Sequence, residues 1–233
     1  MRFGFRLLYQ EMAWTYDGVS WLVSLGEWQR WQAAALPFVQ GSKILEIGHG
    51  PGHLLIALQK GGTTVFGVDL SPQMGRQAQR RLQKQELAPN LVRSRVQTLP
   101  FQPGYFHTVL STFPTDYIVD PETLAAVYRV LAGNGRLIVV PEGHLTGRGL
   151  LHRFIDWLFR ITGQRDGSFQ ADEAHKWPHP DLWEPFRQRF LVAGFQVQIE
   201  EVHLKRSAAT IIVATKYVNE FGKGENMDTN SQT

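Results

Sequence analysis

The stretch Lys43 to Lys60, KILEIGHGPGHLLIALQK, sets the fold class. Lys43 to Ile47 is a short apolar run of strand type, Gly48-His49-Gly50-Pro51-Gly52 follows at once, and His53 to Lys60 has helical patterning. Glycines between a strand and a helix let the backbone turn tightly and let a ligand approach without meeting side chains. The helix N-terminus adds free N–H groups and a positive dipole end, which suit a carboxylate or phosphate. A second strand, Thr63 to Val68, ends at Asp69, 21 positions after Gly48. A carboxylate there can accept both hydroxyl hydrogens of a ribose. Loop and acid together are far more specific than either alone.

The same alternation continues outward. Ser71-Pro72 caps a helix running to about Leu87, and Leu91 to Val96 and Phe106 to Ser111 read as the third and fourth strands. Pro121 to Leu131 is a helix stopped by Gly133-Asn134-Gly135, and Arg136 to Val140 is a fifth strand closed by Pro141. Leu150 to Ile161 reads as a helix apolar nearly all round, and Asp181 to Ala193 as another with Gly194 at its C-terminus. Phe195 to His203 and Ser207 to Thr215 form a closing hairpin. Upstream, Leu7 to Leu36 holds two helices broken near Asp17-Gly18 or Gly26. Strands alternating with helices predict a parallel, doubly wound α/β sheet. The expected organisation is one domain over 1–216, with a helical cap at 1–40, a lid-like insertion at 142–180 and a polar, disordered tail at 217–233.

Composition narrows the function. With 233 residues and 43% hydrophobic content, the chain can bury one sizeable core. There is no cysteine, hence no disulfide, thiolate zinc site or thiol nucleophile, in keeping with a cytoplasmic setting. A net charge of +3 is far from the dense basic stripe of a duplex binder. Gln10, Glu11 and Asp17 interrupt the N-terminus too early for a signal peptide. A soluble or membrane-peripheral protein is expected, with no nucleic-acid partner.

Two cofactor readings compete for the loop. The nicotinamide fingerprint asks for G-x-G-x-x-G, and after Gly48 and Gly50 the third position is His53. E-x-G-x-G-x-G, from Glu46 to Gly52, instead resembles the cofactor loop of class I S-adenosylmethionine-dependent methyltransferases. VDLSPQM (Val68 to Met74) is similar to that family's second motif, and LPF (Leu99 to Phe101) to its turn after the third strand. FHTVLSTFPTDYIVDPE (Phe106 to Glu122) and YRVLAGNGRLIVV (Tyr128 to Val140) are similar to its fourth-strand and fifth-strand segments. Tyr16-Asp17 and VSLGEWQRW (Val23 to Trp31) resemble the start of its quinone (ubiquinone/menaquinone) methyltransferase group.

The resemblance implies a Rossmann-like sheet of seven strands, mostly parallel with a C-terminal antiparallel hairpin. It implies S-adenosylmethionine as cofactor, with Glu46, Gly48, Gly50 and Gly52 around the methionine part and Asp69 on the ribose. Leu70 and Met74 would flank the adenine, Val96 and Gln97 would meet its edge, and Ser111 and Thr112 would lie beside the sulfonium. The chain departs from the pattern at Arg95, where relatives often place an adenine-binding Asp, and at His107, which replaces the usual Asp.

Methyl transfer needs a nucleophile aligned with an already activated carbon, so positioning matters more than acid–base chemistry. Asp116 and Tyr117, after the fourth strand, are the candidates to orient the acceptor, with Tyr16 covering the cofactor from the N-terminal helix. His144, His152, His175 and His179 are not read as a metal site, and no metal is expected. The apolar, arginine-interspersed helix Leu150 to Ile161 is expected to lid the acceptor site or contact a membrane, favouring a small hydrophobic, quinone-like or lipid-headgroup acceptor. A soluble-metabolite methyltransferase and a non-catalytic adenosine-binding scaffold are the alternatives.

Overall fold

A computed structural model describes residues 26–146 and 180–217. Tyr16, the Leu150 to Ile161 helix and the tail from residue 218 lie outside the described residues. The described elements are α1 (Trp28–Ala33), β1 (Lys43–Ile47), α2 (His53–Lys60), β2 (Thr64–Asp69), α3 (Pro72–Lys84), β3 (Leu91–Arg93) and β4 (Phe106–Thr112). They continue with α4 (Pro121–Val130), β5 (Leu131–Val140), β6 (Gly143–Leu145), α5 (Pro180–Val192), β7 (Phe195–His203) and β8 (Ser207–Lys216).

Across the sheet the order is β3-β2-β1-β4-β5-β8, with β7 on the far side of β8. The first five strands are parallel and β8 is antiparallel to both β5 and β7. β6 pairs with β8 at Ser207 to Ala209, just beyond where β5 pairs with Ile212 to Thr215. It therefore prolongs the line of β5. Seven positions across the sheet hold eight strands, because β5 and β6 share one of them.

Alternate residues of each strand enter opposite layers, as a period of two requires. Leu45, Ile47, Val109, Leu137 and Val139 pack with Leu124, Val127 and Val130 of α4. Ile44, Leu110, Ile138 and Val140 pack instead with Trp31, with Leu54, Leu55 and Leu58 of α2, and with Ala78 and Leu82 of α3. The sheet is thus covered by apolar side chains on both faces.

The main differences from the sequence reading concern β3, the α4–β5 junction and β6. β3 stops at Arg93 and a single 3₁₀ turn, Val96–Thr98, replaces its expected end. α4 ends at Val130 and Leu131 is already in the sheet; the expected stop, Gly133-Asn134-Gly135, lies inside β5 where the register with β4 slips. β6 has no counterpart in the sequence reading, since three residues carry too little alternation to read as a strand.

Candidate cofactor and acceptor site

The loop after β1 is held from three sides. The N–H groups of Gly48 and His49 donate to the Val68 carbonyl at 2.7 and 3.4 Å. Asp69, at the end of β2, accepts from the Gly50 N–H at 2.9 Å through Oδ2 and from the Ser71 N–H at 2.7 Å through Oδ1. Arg81 of α3 donates to the Pro51 carbonyl at 3.1 Å and to His53 Nε2 at 2.8 Å. Each carboxylate oxygen of Asp69 keeps a second lone pair, so fastening the loop leaves room to accept a ribose hydroxyl.

The glycines do different things. A Cβ at Gly50 would meet nothing within 4 Å, so the loop there faces open space, with φ at +52°. A Cβ at Gly52 would sit 2.8 Å from that of Ala78, so this glycine lets α3 close against the loop. At Gly48 the obstacle would be the Tyr117 hydroxyl, 2.7 Å away.

Tyr117 thus reaches back across the sheet end. Its hydroxyl lies 3.1 Å from Ser111 Oγ, and Ser111 donates to the Ile47 carbonyl at 3.2 Å. When the serine proton is given to that carbonyl, Tyr117 is the donor to Ser111. Asp116, one residue earlier in the 3₁₀ turn Asp116–Val119, is exposed.

Glu46 and His49 are buried beneath the loop, 1% and 4% exposed. No hydrogen-bond partner meets Glu46 Oε2 among the described residues. Burial first, then the charge of Asp69, hold the Glu46 carboxyl well above the usual carboxylate range. Burial lowers the His49 imidazole, against the opposing pull of Asp69, and its Nδ1 lies 2.7 Å from the Gly50 carbonyl, which can only accept. The folded chain therefore holds a proton on Glu46 that the unfolded chain loses, and stability falls as pH rises from the ordinary carboxylate value through the raised one. Glu46→Gln is expected to melt above the parent at about pH 8 and to match it closely at about pH 4. Ligand-free thermal melts check this, and a difference that does not change with pH would show that Glu46 titrates alike in the folded and unfolded chain.

The other expected site residues are spread along the same sheet end. Leu70 is 56% exposed, whereas Met74 is buried at 1%. Val96 packs on the core, and Gln97 donates to Asp120 Oδ2 at 3.2 Å. Thr112 Oγ1 accepts from Gln32 of α1 at 3.0 Å. Arg95 is exposed. His107 serves the fold instead, because its Nδ1 accepts from the Ser42 and Lys43 N–H groups, each at 3.2 Å, and fixes the entry to β1.

Beyond Thr112 lies a feature with no sequence signal. Phe113 has φ of +51°, a left-handed backbone that costs a bulky residue about 1–3 kcal/mol. Its N–H donates to the Val140 carbonyl at 2.7 Å. The turn stacks its ring on Trp28 at 4.0 Å and sets it edge-on to Trp31 at 6.2 Å. An aromatic cluster thereby joins α1 to the end of β4.

A glycine loop fastened to a carboxylate at the end of β2, in a sheet of this order, defines a class I methyltransferase fold. Residues 44–135 match the family described as a methyltransferase domain. A demethylmenaquinone methyltransferase of Thermus thermophilus is 28% identical over 83% of this chain and 93% of its own. One of Symbiobacterium thermophilum is also 28% identical, over 91% and 92%. A Methanococcus maripaludis protein, described as a candidate S-adenosyl-L-methionine-dependent methyltransferase, superimposes with a TM-score of 0.61 at 19% identity, over 89% of this chain and 93% of its own. These likenesses support an S-adenosylmethionine-dependent methyltransferase of class I that resembles the quinone methyltransferases, with S-adenosylmethionine as cofactor. The residues fit that group: the space over Gly50 is open, and a buried carboxyl oxygen of Glu46 lacks a partner among the described residues.

Proposed function

We propose that this chain transfers a methyl group to a lipophilic, quinone-like acceptor. The observation that carries this reading is the full-length likeness to two relatives named as demethylmenaquinone methyltransferases.

Bound S-adenosylmethionine supplies an electrophilic methyl carbon. In this reading Gly48, Gly50 and Glu46 seat its methionine part, Asp69 takes the ribose, and Leu70, Met74, Val96 and Gln97 take the adenine. Ser111 and Thr112 would lie beside the sulfonium, and Asp116 and Tyr117 would orient the acceptor toward the methyl group. Alignment of that kind contributes up to about 7–11 kcal/mol of barrier lowering. No residue has to become covalently bonded.

Transfer of isotope-labelled methyl into fractionated extracts tests the acceptor. Label is expected in the lipid fraction that contains quinones; label confined to the aqueous fraction would make the acceptor a soluble metabolite. Tyr117→Phe is expected to lower kcat about 10- to 100-fold while changing cofactor affinity little. An unchanged kcat would reduce Tyr117 to a packing group over Gly48.

A further inference from the structure

Positive charge in this protein is gathered on one helix. The chain has 24 Lys and Arg against 21 Asp and Glu. Helix α3 holds Arg76, Arg80, Arg81 and Lys84 and no acid, which leaves 20 cations against 21 acids elsewhere. Arg81 faces the glycine loop. Arg76, Arg80 and Lys84 recur at every fourth residue and are all exposed, while Met74, Ala78 and Leu82 recur at the same spacing and are all buried. At 3.6 residues per turn, the three cations form a stripe about 12 Å long within an arc of roughly 80°.

The stripe extends across the sheet edge. β3 is one edge strand of the sheet; Arg93 at its end and Arg95 just beyond it are exposed. Among the described residues, no carboxylate pairs with Arg76, Arg80, Lys84, Arg93 or Arg95; the ion pairs found lie on other elements. A helix that merely solvates its outer face gains by placing acids three or four residues from its cations. This one has Gln73, Gln77, Gln79 and Gln83 at the three-residue spacing from Arg76 and Arg80 instead. Among the described residues these five cations have no carboxylate partner, and at low salt a polyanion lying against them would relieve their mutual repulsion.

We propose that the α3–β3 edge docks the protein on an anionic lipid bilayer, with the headgroup phosphates as ligand. The choice of a bilayer rests on the reading of a lipophilic acceptor, which a membrane holds. It also rests on what the face lacks: among the described residues, none of the exposed large apolar side chains lies on α3 or β3, so there is no ring on which a single-stranded nucleic acid could stack.

The full chain should be sedimented with vesicles of phosphatidylcholine alone and of phosphatidylcholine with an equal part of phosphatidylglycerol. Binding is expected only to the anionic vesicles, at low salt, with loss at high salt. The triple variant R76E/R80E/K84E is expected to bind them about tenfold less or worse, with adenosylhomocysteine affinity and melting temperature unchanged. Inorganic phosphate at millimolar concentration should not compete. Failure of the parent to sediment, equal binding by the variant, competition by free phosphate, or binding to an oligouridylate but not to vesicles would each overturn the proposal. Vesicle binding with labelled methyl found only in soluble products would keep the docking surface and discard the lipophilic acceptor.

Discussion

Asp69→Ala is expected to weaken S-adenosylmethionine binding by about 100-fold or more while the protein still folds. Asp69 accepts from the Gly50 and Ser71 N–H groups, at 2.9 and 2.7 Å, and so ties the loop after β1 to the end of β2. Charge-assisted hydrogen bonds of this kind contribute about 1.5–3 kcal/mol each. The variant loses both loop anchors and, in the proposed reading, the ribose acceptor at once. Because Asp69 is half-buried, water can replace part of the lost bonding, and the folding cost should stay near 1–3 kcal/mol. Titration calorimetry and a melt of the same sample separate the two effects. Unchanged affinity in the folded variant would show that Asp69 only shapes the loop and that the ribose lies elsewhere.

Gly50→Val should abolish detectable binding with a smaller loss of stability than Gly52→Val. At Gly50 the left-handed φ of +52° costs a side chain about 1–2 kcal/mol, but a Cβ there meets no protein atom within 4 Å. The valine methyls would occupy the space open to the ligand. At Gly52 a Cβ would lie 2.8 Å from the Ala78 Cβ and 3.1 Å from its Cα, so the helix itself would have to move. One glycine keeps a site open and the other keeps two elements in contact. Melting temperatures and adenosylhomocysteine titrations of both variants check the contrast. A Gly50→Val protein that still binds would remove the loop from the cofactor site.

The placement of β1, α2, β2 and β4 is legible in the sequence because each rests on local information. KILEI and the run ending at Asp69 are rich in apolar and β-branched residues, and Ser71 does cap α3, accepting from the Met74 N–H at 3.3 Å. The glycine loop and Asp69 are legible for the same reason, since a strand, a turn and an acid at set spacing define their own geometry. Gly133-Asn134-Gly135 misleads because a turn signal ends a helix or bulges a strand equally well. Which of the two happens depends on where β4 pulls Leu131 into register.

Local spacing along the chain determined the α/β class, the loop that turns from β1 into α2, and the acid that meets it. Contacts between distant residues settled the rest. Nothing near Arg81 in sequence separates it from Arg80, yet one is fastened to Pro51 and the other is exposed, because only one side of α3 faces the loop. Tyr117 meets Gly48, Gln32 meets Thr112, and Phe113 takes a strained turn to reach Trp28 across more than 80 residues. β6 exists because Ser207 to Ala209 offers it a free edge some 60 residues later. Periodicity records which face of an element is buried, but which residue lies opposite is decided by the packing of whole layers, where the burial of many side chains outweighs any one local preference.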